Sequence, residues 1–205
     1  MRVFAVALAT LVVAGTSAVA QTAPEARPRP PALVDAHTAI EKGVTNLCGW
    51  ALAGEGYSLP AMQQTAFDAG YRRGASVSIV PLPEMRSQPS FSSLNFTAEI
   101  ENAPAEGSGV VALVSFHNPV CQIQVYIYFD EAKAFVAGLP SSGWRLTAPE
   151  ASFGNVAAQR WFGNLNGKPV TLVINRWVGE QMAPGNLGFI LNVVPGEDPE
   201  RGVLN

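Results

Sequence analysis

The sequence is poor in the residues on which catalysis, metal binding and nucleic-acid binding usually depend. Its 205 residues include two histidines and two cysteines, and 14% of them are charged, against about 25% in an average globular chain. The 16 acidic residues outnumber the 13 basic ones, so the formal net charge is −3. Because nucleic-acid binding needs a basic patch to neutralise phosphates, we expect no nucleic-acid partner.

The spacing of these few residues also excludes the common motifs for metals and cofactors. The sequence contains no HExxH, CxxC or DxDxDG pattern, each of which would bring metal ligands together. Its glycines form no phosphate-binding loop, since Gly107-Ser108-Gly109 precedes a predicted strand and does not join a strand to a helix. We therefore expect no cofactor and no metal.

The one long apolar run lies at the amino terminus. Arg2 is followed by a largely apolar segment over residues 3–14 and by small residues that end in Ala18-Val19-Ala20. This order predicts a secretory signal peptide over residues 1–20, of the kind typical of Gram-negative export, with cleavage after Ala20. A membrane span needs about 20 apolar residues, so we expect no integral membrane anchor after cleavage. The cleaved chain keeps 12 basic and 16 acidic residues, a net charge of −4, and is expected to be periplasmic or secreted.

The remaining sequence divides into a linker, one domain and a tail. Residues 21–32 hold four prolines without apolar periodicity, which predicts an extended linker. Residues 33–194 are predicted to form a single α+β domain, and residues 195–205 a polar tail.

Apolar periodicity predicts the elements of this domain. Helical spacing over residues 32–53 and 59–70 predicts two helices, and Asp130 is predicted to cap a short helix that ends at a left-handed Gly138. Asn166-Gly167 predicts a tight hairpin. Strands are predicted over residues 94–100, 110–116, 121–129, 156–162, 170–178 and 187–193. This order favours N-terminal helices packed on one face of a mainly antiparallel sheet, with one short inserted helix.

The two cysteines are predicted to form a disulfide. In an oxidising compartment an even number of cysteines favours pairing, and Cys48 with Cys121 is the one possible connectivity. Cys121 lies on the apolar face of its predicted strand, and Cys48 borders the apolar stripe of the first helix. Two buried free thiols, or a reactive Cys48 with only Lys42 as a nearby base, are the alternatives.

None of the possible catalytic groupings is complete. Ser115 and His117 share one face of a predicted strand, but a flat strand supplies neither a nucleophile elbow nor an oxyanion hole. Glu99 and Glu101 share an outward strand face, where burial would be needed to hold the two carboxyls in different protonation states. His37 is predicted to lie on a solvated helix face.

What remains is the sheet face opposite Cys121. Tyr and Gln side chains there suit hydrogen-bonded contact with a ligand or partner, although the row is alternatively a solvated face or one packed under another segment. The candidate binding residues are Gln122, Gln124, Tyr126 and Tyr128, with Ser115 and His117 from the neighbouring strand.

The sequence thus predicts an exported, non-catalytic binding or interaction module of the bacterial envelope, whose partner is an envelope protein or a small ligand. A small exported hydrolase with an acid/base site is the alternative, and an accessory domain tethered by the linker is a third hypothesis.

Overall fold

The structure, a computed structural model, describes residues 33–53, 59–74, 93–103, 109–115, 120–178 and 187–197. The predicted signal peptide, most of the predicted tail and the linker at residues 21–32 lie outside these ranges, as does His117.

The first predicted helix is three consecutive helical segments. Helix α1 (Ala36–Lys42) continues into a π-helical segment (Gly43–Cys48) and then into α2 (Gly49–Ala53). It begins later than predicted because Asp35 is its N-cap: the carboxylate accepts hydrogen bonds from the Thr38 N–H (2.8 Å) and hydroxyl (2.6 Å). These hydrogen bonds, that of the hydroxyl first, hold the pKa of Asp35 below its ordinary value. The second predicted helix is α3 (Leu59–Asp68).

The inserted helix α4 (Phe129–Gly138) differs from its prediction at both ends. Asp130 is not the cap but lies in the first turn, where it pairs with Lys133 at 2.9 Å. Gly138 does not terminate the helix in the left-handed region, because the chain continues into a 3₁₀ turn (Pro140–Ser142). The left-handed residue is Gly143, with φ of +83°.

The strands in the described ranges form one antiparallel sheet, which together with the helices confirms the α+β class. Their order across the sheet is β1-β2-β3-β4-β8-β7-β6-β5. The strands are β1 (Tyr71–Arg73), β2 (Ser93–Ala98), β3 (Val110–Ser115), β4 (Val120–Tyr126), β5 (Arg145–Phe153), β6 (Val156–Leu165), β7 (Lys168–Trp177) and β8 (Leu187–Pro195).

The predicted Asn166-Gly167 hairpin is confirmed between β6 and β7. Both residues have positive φ, 50° and 77°, as the tight turn of a two-residue hairpin requires. Strands β1 and β5 are not among the predicted strands. β1 has three residues, too few to show alternation, and β5 is exposed along nearly its whole length.

The predicted disulfide between Cys48 and Cys121 is confirmed. It joins the end of the π-helical segment to β4, with 5.2 Å between the two Cα atoms. Cys121 lies beside Val193 of β8, which in turn lies beside Leu172 of β7. We call the sheet surface defined by Cys121, Leu172 and Val193 the cysteine face. Its residues belong to the same buried hydrophobic cluster as helix residues such as Ile40.

Trp144 directly precedes β5 and packs against β6. Its backbone N–H donates to the Leu139 carbonyl at 3.1 Å. Its indole lies directly against Gly163 of β6, where an added Cβ would stand 2.5 Å from a ring carbon. Only glycine at residue 163 permits this close approach. The position of the indole ring is therefore fixed by its packing against β6 and by the backbone hydrogen bond of Trp144.

Candidate functional site

The predicted binding row is a chain of side-chain hydrogen bonds within the sheet. The Tyr126 hydroxyl donates to Gln124 Oε1 at 2.8 Å, and Gln124 Nε2 donates to Gln122 Oε1 at 2.6 Å. Gln122 Nε2 then donates to Asn192 Oδ1 of β8 at 2.8 Å. The chain of hydrogen bonds thus extends from β4 to β8, and its amide groups bond one another.

The two glutamines of the row are buried. Gln124 is 0% exposed and Gln122 is 3% exposed, so neither lies on a solvated face. Asn175 and Asn192 share this sheet surface and are also 0% exposed. We call the surface defined by Gln122, Gln124, Asn175 and Asn192 the amide face. The sequence left three alternatives for this row: a binding surface, a solvated face, or a face packed under another segment. The burial shows that Gln122 and Gln124 are packed. A binding role for them stays a prediction.

Tyr128 does not continue the row, contrary to the alternation that placed it beside Tyr126. Strand β4 ends at Tyr126 after a register shift between Val125 and Tyr126, and Ile127 has a positive φ of 56°. This left-handed residue reverses the alternation, so Tyr128 packs against the main core and Ile127 is 44% exposed. Burial raises the pKa of Tyr126, and burial together with the nearby Glu131 carboxylate raises that of Tyr128.

The other predicted candidates are not brought into one site. Ser115 is the last residue of β3 and only its backbone is described, while His117 lies outside the described residues. Glu99 forms an ion pair with Arg72, and Glu101 is exposed in a turn after β2. The arrangement does not provide the burial that an acid–base role for the two glutamates requires.

The structure brings a different set of residues together around a cleft of about 170 Å³. The first helix contributes one side of the cleft, with residues spaced four apart so that they follow one another along the helix. Helix α4 with its 3₁₀ turn, and the segments around β5 and β6, contribute the rest. The lining residues are His37, Glu41, Thr45, Phe135, Gly138, Leu139, Ser142, Trp144, Asn164 and Leu165.

The cleft has an apolar floor and a polar rim. Phe135, Leu139, Trp144 and Leu165 are all buried. The polar lining residues are more accessible: His37 and Thr45 are half-buried, and the others are exposed, namely Glu41, Ser142 and Asn164. An apolar cavity with a few convergent polar groups is the usual form of a small-molecule site.

The polar side chains of the cleft differ in whether they have a hydrogen-bond partner in the described part of the chain. The Thr45 hydroxyl donates to the Glu41 carbonyl at 2.8 Å, and the Ser142 hydroxyl to the Gly138 carbonyl at 3.2 Å. Among described residues, by contrast, no hydrogen bond or ion pair engages the side chains of His37, Glu41, Trp144 and Asn164. Their hydrogen-bonding capacity is available to a ligand.

Sequence reasoning missed this cleft. His37 is half-buried in it, where a solvated helix face was predicted. The available signal was the spacing of His37, Glu41 and Thr45, which places three polar side chains in line beside the apolar stripe of the helix. The residues opposite them are about 100 positions away in the chain, and no local pattern connects the two groups.

Comparison of the chain with protein-family models, with curated proteins and with solved structures finds no match. In the described ranges, no group of three or more His, Cys, Asp and Glu residues is arranged to hold a metal ion. No helix in the described parts of the chain combines the length and apolarity that crossing a membrane requires. The fold and the cleft define the protein at the level of class, as an α+β protein with one antiparallel sheet and a small cleft beside its first helix.

Proposed function

We propose that the protein is an exported, non-catalytic binding module of the bacterial envelope, and that the cleft binds a small ligand. The observation that carries the proposal is the convergence of unpartnered polar groups over a buried apolar floor. In this arrangement the N-terminal helices cover the cysteine face, and the inserted helix α4 forms a wall of the site. Thr45 belongs to a π-helical segment, a feature frequent at functional sites.

The cleft is preferred to the predicted binding row because the amides of the row already bond one another. A ligand at Gln122 or Gln124 would have to replace hydrogen bonds of 2.6 to 2.8 Å between buried groups. The alternative of a small hydrolase has less support, since the ion pair with Arg72 engages Glu99 and the one carboxylate of the cleft, Glu41, is exposed.

A cleft-filling variant tests the proposal. Gly138 lines the cleft, and an added Cβ there meets no atom within 4 Å, so the backbone at this position tolerates a side chain at the edge of the cleft. We expect a library of small water-soluble compounds, screened by NMR, to yield ligands that shift amide signals of α1 and α4. Gly138→Leu is expected to weaken the binding of these ligands at least about tenfold, equivalent to 1.4 kcal/mol.

Gly138→Ala is the matched control, because it adds one methyl group to the same helix position. It is expected to retain ligand binding and to stabilise the helix by about 0.5 to 1 kcal/mol. Ligands whose signals map elsewhere, or that bind Gly138→Leu as well as they bind the natural chain, would contradict the proposed site.

Export is tested by the mass of the protein recovered from the periplasm or the medium. We expect a chain that begins at Gln21, because signal peptidases cleave after a small residue such as Ala20. Ala20→Phe is expected to retain the signal peptide. Recovery of the natural chain with Met1 still attached would show that the prediction is wrong.

A further inference from the structure

We infer that the ligand of the cleft is a small organic ammonium ion, bound with its positive charge between the Glu41 carboxylate and the aromatic floor. This inference rests on the proposed function and names the class of ligand that the site would take. It is carried by the charge of the lining residues, the identity of the floor residues and the size of the cleft.

The charge around the cleft is of one sign. Glu41 is the one lining residue with a full negative charge, and no lysine or arginine lines the cleft. An anionic ligand would meet like charge here, whereas a cation gains an attraction.

The basic residues adjoining the lining residues in the chain do not neutralise this charge. Arg145 follows Trp144 directly, but its guanidinium bonds the Glu197 carboxylate at 2.8 Å and lies 5.3 Å from the centre of the Phe162 ring. Lys42 follows Glu41 on the helix and is not among the lining residues. Glu41 itself has no ion pair with any residue that the structure describes.

The floor favours an organic cation over a hydrated metal ion. Trp144 and Phe135 line the cleft, and tryptophan is the side chain that attracts cations most strongly through its ring face. Leu139 and Leu165 complete an apolar surface that methyl or methylene groups match. A metal ion is usually held by several carboxylate or imidazole groups, and in the described ranges no group of three or more His, Cys, Asp and Glu residues is arranged to hold one.

The size of the cleft limits the ligand to a head group with a short tail. Its volume of about 170 Å³ is similar to that of an engineered cavity of about 150 Å³ that binds benzene. A trimethylammonium group with a short hydroxyl-bearing chain is of this scale. The unpartnered Asn164 amide and His37 ring on the rim are available to bond such a hydroxyl.

A pair of probes that differ only in charge tests the inference. Choline carries a trimethylammonium group, and 3,3-dimethyl-1-butanol has the same shape with a neutral carbon in place of the nitrogen. By isothermal titration, we expect choline to bind the natural chain at least about tenfold more tightly than the neutral analogue. Glu41→Gln is expected to remove most of this difference and to leave binding of the analogue unchanged.

Glu101→Gln is the control for overall charge, because it makes the same substitution at an exposed residue that does not line the cleft. It is expected to bind choline as the natural chain does. Equal affinity for the two probes, absence of choline binding, or equal effects of Glu41→Gln and Glu101→Gln would each overturn the inference.

The outcomes also separate this inference from the proposed function. In one outcome, neutral compounds from the library bind at the cleft, Gly138→Leu abolishes their binding, and choline does not bind. The inferred class of ligand is then wrong, and the proposed binding site is retained. If no compound of either kind is affected by Gly138→Leu, both proposals fail.

Discussion

Replacing Cys48 and Cys121 together by alanine is expected to lower the free energy of unfolding by about 4 kcal/mol. The disulfide joins residues 73 positions apart, and on the chain-entropy account a loop of this length restricts the unfolded chain by about that amount. Single domains are typically stable by about 5 to 15 kcal/mol, so the loss is a large share of the total. Urea unfolding of the double variant and of the oxidised natural chain measures the difference.

The natural chain treated with a reductant is the control for the double variant. Both lack the covalent link, so their unfolding midpoints should lie close together and well below that of the oxidised chain. An unchanged midpoint for the double variant would refute the expected stabilisation. Labelling of two thiols in the denatured, unreduced protein would refute the disulfide itself.

Replacing Gln124 by alanine is expected to cost about 3 kcal/mol of stability. Gln124 is fully buried, and its amide accepts a hydrogen bond from Tyr126 and donates one to Gln122. Alanine removes both hydrogen bonds and leaves a cavity, and each effect destabilises by about 1 to 3 kcal/mol. Thermal or urea unfolding of the variant measures the loss.

Tyr126→Phe is the matched control in the same chain of hydrogen bonds. It removes only the hydroxyl that donates to Gln124, so we expect a loss of about 1 kcal/mol. A loss below about 0.5 kcal/mol for Gln124→Ala would be typical of a solvent-facing residue and would contradict the buried row. A large loss would instead favour a structural role for the row over a binding role.

Much of the fold follows from local patterns. The apolar stripe of residues 32–53 indicates the first helix, and Asn166-Gly167 indicates the β6–β7 hairpin, because each signal is contained in one short segment. The disulfide follows from cysteine number together with the apolar position of Cys121 on its strand. These features depend on spacing and residue type, which can be read along the chain.

The differences between the predicted and the observed structure also have local causes. Ile127 adopts a left-handed backbone that no apolar pattern reports, and it moves Tyr128 off the face of Tyr126. Strand β5 contains Pro149 and two register shifts, so it shows no clean alternation. It pairs with β6 at the edge of the sheet, where exposed residues form a strand without an apolar face.

The buried row of amides and the cleft are both products of tertiary packing. Gln122 and Gln124 read as polar residues of a half-solvated strand, yet they are buried, because burial depends on which segments pack against a face and not on the strand itself. The cleft likewise unites residues 37–45 with residues 135–144 and 164–165. Periodicity along a chain reports which side of an element is apolar. Which elements then meet, and what lies between them, is decided by contacts between segments distant in sequence.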